Sequence, residues 1–120
     1  VEVQEEVVIP KPVEVRIEVV YSEESIERII RETFPENPDL AVAIAKAESG
    51  ESLKATAFNP ESHRGCNGSY GVFQIACVHD SNPKDLFDPK TNIQKARAIY
   101  LREGWRPWGG YTSGGYKKFL

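Results

Sequence analysis

Val13, Val15, Ile17 and Val19 alternate with Glu14, Arg16 and Glu18, the period of two expected of a half-buried or pairing strand. Pro10 and Pro12 keep the segment before it extended and out of a sheet interior. From Ser22 onward the period changes. Ile26, Ile29, Ile30 and Phe34 recur at helical spacing behind a Ser22 or Ser25 cap, with Glu23 and Glu24 at the positive helix end, and Pro35 stops the helix. Asn37-Pro38 is a second start signal and predicts a helix over 38–49, with Gly50 ending it in the left-handed conformation. Residues 51–70 read as loop, broken by Asn59-Pro60, Gly65 and Gly68, with room for a small β-hairpin. A short apolar segment, 72–78, and a loop, 80–88, follow. Asp88-Pro89 is the third start signal, predicting a helix to about Glu103 that buries Ile93, Ala96, Ile99 and Tyr100 and stops at Gly104. The tail, 105–120, is rich in glycine and aromatics, and no internal repeat is visible.

These elements predict an α+β fold, predominantly α, with a small β element or loop. Residues 1–21 read as an extended acidic arm or linker and 22–120 as the functional domain. The 120 residues fit one domain and exclude a two-lobed enzyme with its own cofactor domain. Charge sharpens the division. Residues 1–24 hold seven acidic and two basic side chains, a net of −5, whereas the other eleven acidic and thirteen basic residues leave +2. A net of +2 is too weak for a nucleic-acid binder but allows approach to an anionic polymer. No apolar run approaches the ~20 residues that span a bilayer. No signal peptide is visible, and Met is absent even at position 1, so a processed or excised chain, its export signal removed, is expected.

Glu48 carries the candidate chemistry. Helical spacing places it on one face with Leu40, Ile44 and Ala47, as the last member of an apolar stripe. A carboxyl there loses hydration and its pKa rises, which is what a general acid for glycoside cleavage needs. On spacing alone, a Glu48 turned out to solvent at a frayed helix end is the alternative.

Ala47-Glu48-Ser49-Gly50, then Gly71-Val72-Phe73-Gln74-Ile75, then Asn92-Ile93 and Ala98-Ile99-Tyr100-Leu101 together resemble the lysozyme-like superfamily. The resemblance is closest to soluble-type lytic transglycosylases and related phage and bacterial peptidoglycan-cleaving domains, and it covers about residues 25–110. It implies a lysozyme-like fold whose cleft binds peptidoglycan glycan strands and cleaves the β-1,4 bond between N-acetylmuramic acid and N-acetylglucosamine. It carries over onto Glu48 as the catalytic acid/base, Gln74 as the cleft glutamine, Tyr100 as the tyrosine that supports the glutamate, Ser49 as the serine after it, and Asn59 as a loop asparagine. A secreted, cell-envelope or virion-associated monomer is expected, with no cofactor, no metal, no nucleic acid and no membrane span.

Two positions depart from the pattern. Ser69 stands where animal-type lysozymes, which this stretch also resembles, carry a second catalytic Asp. A hydrolase ordinarily needs two carboxylates, so Ser69 favours a single-glutamate transglycosylase assisted by the substrate's N-acetyl group. A hydrolytic muramidase helped by Glu61, or more weakly by Asp80, stays open, as does a non-catalytic glycan-binding or virion-structural module. Thr91 stands where the transglycosylase pattern usually has an acidic residue.

Cys66 and Cys77 flank the Tyr70–Gln74 segment, and in an exported domain a disulfide between them is the favoured reading. The alternative is a zinc set of His63, Cys66, Cys77 and His79; otherwise His79 is a loop or cleft-lining residue. Trp105 and Trp108 are expected to close the core, leaving Tyr111 and Tyr116 as candidates for sugar contacts.

Overall fold

Ser22 opens the first helix: its Oγ accepts the Ser25 amide at 3.1 Å, and α1 runs over Glu23–Thr33. The computed structural model describes residues 21–60 and 68–120; the expected arm strand, together with Glu61, His63 and Cys66, lies outside them. Ile26 and Ile30 of α1 and the following Phe34 are buried. Asn37 Oδ1 accepts the Leu40 amide and starts α2 (Pro38–Ser49). Gly50 ends α2 with a positive φ of 98°, but its ψ of 163° is extended rather than the expected left-handed helical.

α2 departs from a one-sided stripe. Ala41, Val42, Ala43, Ile44 and Ala45 are all buried, so α2 is the central helix, enclosed on most of its faces. Its alanines let neighbours approach closely. α3 (Pro89–Glu103) begins where Asp88 Oδ2 accepts both the amide (3.0 Å) and the hydroxyl (2.8 Å) of Thr91. Thr91 thus serves the helix cap. α3 buries Ile93, Ala96 and Ile99, but Tyr100 is only half-buried.

The hairpin that the sequence left room for is present. β1 (Phe58–Asn59), β2 (Ser69–Tyr70) and β3 (Ile75–Ala76) form one antiparallel sheet in that order. Phe58 lies opposite Tyr70, and Ser69 lies between Asn59 and Ala76. The apolar segment 72–78 is divided among a turn, β3 and a 3-10 turn at Cys77–His79. The turn starts at Gly71, whose φ is +76° and whose added Cβ would collide with the Leu86 carbonyl and the Asn92 amide. The loop over 80–88 contains a 3-10 turn, Pro83–Phe87, that buries Leu86.

Asn92 is fully buried and ties these pieces together. Its Oδ1 accepts the Phe73 amide at 2.8 Å, while its Nδ2 donates to the carbonyls of Tyr70 (2.7 Å) and Leu86 (2.9 Å). The tail returns over α2 as a short helix, α4 (Gly109–Thr112), and a 3-10 turn, Gly115–Phe119. Trp105 and Trp108 close the core as expected, Trp105 lying 5.0 Å from Phe34 and 5.3 Å from Trp108 between ring centroids. The described residues are therefore mostly helical with a small antiparallel sheet. No helix among them is long and apolar enough to cross a membrane.

Candidate active site

The end of α2, the sheet and the start of the tail enclose a cleft of about 450 Å³. α2 contributes Glu48. Asn59 and Ser69, paired across β1 and β2, line the cleft with Gln74, Ile75 and Ala76. His79 follows from the 3-10 turn. Ile99 and Glu103 come from α3, and Pro107, Trp108 and Gly109 from the tail.

Glu48 is half-buried, and loss of hydration pushes its carboxyl above the ordinary carboxylate range. One hydrogen bond opposes this: the Gly110 amide donates to Glu48 Oε1 at 3.1 Å, favouring the charged form. Burial is the larger effect. The tail reaches this position because residue 110 lacks a side chain. A Cβ on Gly110 would meet the Ala47 Cβ at 2.7 Å and Glu48 Oε1 at 3.4 Å.

Gln74 takes a left-handed φ of 48°, a conformation that costs a non-glycine residue about 1 kcal/mol or more. Its side chain is fixed by two bonds, from Nε2 to the carbonyls of Ala57 and Gly71, each 3.0 Å. Both amide protons are therefore used, and Oε1 is the atom Gln74 offers as an acceptor. The neighbouring residue holds the frame. Phe73 gives its amide to Asn92 and its carbonyl accepts the Trp108 indole N–H at 2.9 Å, so α3 and the tail both grip the turn that carries Gln74.

Of the site residues expected from sequence, Glu48, Asn59, Ser69 and Gln74 meet in the cleft. Three do not. The Ser49 hydroxyl donates back to the Ala45 carbonyl at 2.9 Å, satisfying itself within α2. Tyr100 packs on Trp105 (4.5 Å) and Phe34 (5.5 Å), with the Arg97 guanidinium over its ring. The bond to Glu48 expected of Tyr100 comes from Gly110 instead, because Ile99 and Glu103, not Tyr100, form the cleft-facing side of α3. Tyr111 stacks on Tyr116 at 5.4 Å and packs against the core, outside the cleft lining. Asp80 also lies outside it; its Oδ1 accepts the Asn82 amide in a local turn. Cys77 is buried beside β3, but its expected disulfide partner, Cys66, falls outside the described residues, as do Glu61 and the His63 of the zinc alternative. No group of three His, Cys, Asp or Glu able to hold a metal occurs among the described residues.

Glu103 and Gly110 were not singled out from sequence. Glu103 had one signal, an acidic residue in the last turn of a helix, where the macrodipole disfavours it. Gly110 had only its place in a Gly-Gly pair after Trp108. No protein-family model, curated protein or solved structure matches the chain. The cleft thus presents a carboxyl that holds its proton above the ordinary range, an amide acceptor, and asparagine and serine side chains. That combination suits proton transfer to a ligand rich in hydroxyls and amides.

Proposed function

We propose that the protein cleaves the β-1,4 bond between N-acetylmuramic acid and N-acetylglucosamine in peptidoglycan, as a lytic transglycosylase of the lysozyme-like kind. The observation that carries this reading is Glu48: a carboxyl raised by burial, held by one backbone N–H, at the wall of a polar cleft. Glu48 donates its proton to the glycosidic oxygen as the bond to C1 breaks. The substrate's own N-acetyl oxygen meets the positive charge developing at C1. The Glu48 carboxylate then takes the proton from the muramic acid 6-hydroxyl as that oxygen attacks C1, giving a 1,6-anhydro end without water. Gln74 Oε1 and Asn59 orient the sugar amides and hydroxyls.

Ser69 supports the transglycosylase outcome over hydrolysis. It is a buried hydroxyl on β2, within the cleft, at the position where the animal-type lysozymes that this stretch resembles carry their second carboxylate. Digestion of purified peptidoglycan followed by mass spectrometry tests the reading. Anhydro ends are expected; reducing ends alone establish a hydrolytic muramidase on the same site. Glu48→Gln is expected to lower cleavage by at least about a hundredfold. Full activity in that variant overturns the mechanism, and a wild type that binds glycan without cleaving it makes the protein a glycan-binding module. A wall-cleaving role places the protein outside the cytoplasm, in the envelope or on a virion.

A further inference from the structure

The described lining of the cleft is acidic within a domain of balanced charge. Beyond the arm, residues 22–120 carry thirteen basic and thirteen acidic residues, yet among the described residues two carboxylates, Glu48 and Glu103, and no lysine or arginine line the cleft. The two carboxylates differ in kind. Glu48 is held by the Gly110 amide and kept toward its protonated form by burial. Glu103 is about half exposed, and its nearest cation is the adjacent Arg102 at 3.7 Å, itself 62% exposed. Such a contact leaves Glu103 hydrated and available.

Glu103 also sits where helix electrostatics disfavours it. It is the last residue of α3, followed by Gly104, at the end where the unpaired carbonyls already concentrate negative charge. The Glu103 carbonyl accepts the Arg106 Nε–H at 3.4 Å, whereas the Glu103 side chain borders the cleft. A residue that works against its own helix and borders a cleft is the kind of local inconsistency that function maintains. Its effect is to set a carboxylate at one wall of the cleft, with Arg102 and Arg106 at the same helix end.

We propose that Glu103 is a specificity residue that holds an ammonium group carried by the substrate. This rests on the glycan-cleaving reading and narrows it to glycan material bearing a free primary amine. The amine has two chemical sources: the 2-position of a de-N-acetylated glucosamine, or the side chain of a diamino acid in the stem peptide. Glu103 makes no hydrogen bond to Glu48, whose raised pKa comes from burial. It therefore acts on which substrate is held, while Glu48 acts on the proton.

The test separates binding from cleavage. Isothermal titration of the Glu48→Gln protein is carried out with glucosamine oligomers, with N-acetylglucosamine oligomers of the same length, and with a muropeptide before and after acetylation of its diamino-acid amine. About tenfold tighter binding is expected for one amine-bearing ligand over its acetylated counterpart, as one charge-assisted contact provides. The preference should fall to near unity in Glu48→Gln/Glu103→Gln and reverse toward the acetylated ligand in Glu48→Gln/Glu103→Lys. Preference in the oligomer arm identifies the sugar amine; preference in the muropeptide arm identifies the stem peptide. No preference in either arm, or one that survives Glu103→Gln, overturns the proposal. Cleavage by the wild type is scored separately, so failure to cleave counts against the catalytic reading and leaves the binding result to decide the role of Glu103.

Discussion

The Gly110 amide donates to Glu48 Oε1 at 3.1 Å across 62 residues of chain. This bond links the tail to the last turn of α2, and it opposes the effect of burial on the same carboxyl. Gly110→Ala is expected to push the tail off Ala47, since its Cβ would meet the Ala47 Cβ at 2.7 Å. Overpacking of this kind costs about 1–3 kcal/mol. Loss of the N–H bond also leaves Glu48 protonated to higher pH. The alkaline limb of cleavage against pH should therefore move upward. A variant that is less stable but keeps the limb in place would show that Gly110 serves packing alone.

Glu48 and Glu36 should leave opposite marks on stability. The folded-state pKa of Glu48 lies above its unfolded value, so the folded protein binds more protons through that interval and stability falls as pH rises through it. Glu48→Gln removes the fall, and its advantage over wild type should grow with pH until Glu48 is fully ionised. Urea titrations at a series of pH values read this directly; a pH-independent difference would contradict a raised Glu48.

Glu36 runs the other way. The bidentate Arg97 guanidinium, at 2.7 and 2.8 Å, holds its carboxyl down at about 2. The stabilisation is present above the ordinary carboxylate value and is lost as pH falls toward about 2. Glu36→Gln should flatten that acid limb. Because Glu36 is exposed, the effect should also shrink in salt, and an acid limb unchanged in the variant would assign it to another carboxylate.

Asn92 is expected to be the least replaceable polar residue of the described core. Asn92→Leu keeps its approximate size and leaves the Phe73 amide and the Tyr70 and Leu86 carbonyls without their partner. A loss of about 3–5 kcal/mol is expected. Asn92→Asp retains an acceptor for Phe73 but sets a carboxylate against two carbonyl oxygens, so it should be no milder. Thermal or urea unfolding measures both, and a loss below about 1 kcal/mol would mean that the turn is held by other contacts.

The Cys66–Cys77 bridge expected from sequence closes a short loop and should contribute about 2–3 kcal/mol. Intact mass with and without reductant should differ by two hydrogens. Equal masses would remove the disulfide.

The helix starts were legible because their chemistry is local. Ser22, Asn37-Pro38 and Asp88-Pro89 each act within three residues. Glu48 was legible through the motif around it, Ala47-Glu48-Ser49-Gly50, since helical spacing alone left open an exposed carboxyl at a helix end. Tyr100 misled because one residue along a helix turns a side chain by about 100°, so Ile99 lines the cleft while Tyr100 meets Phe34 and Trp105. Ser49 misled because a hydroxyl next to a site has a nearer acceptor four residues back. Gly110 and Asn92 work through partners about 60 and 20 residues away, contacts that no local pattern encodes.

Strands of two residues have little cooperativity of their own. With the Phe73 amide given to Asn92 rather than to a neighbouring strand, the turn behind Gln74 is fastened to α3. Hydrogen exchange of the Phe73 amide should therefore keep pace with the first turns of α3, not with the sheet edge. The wall that presents Gln74 and the helix that presents Glu103 then open as one cooperative unit, so a ligand bound between them would slow exchange in both together.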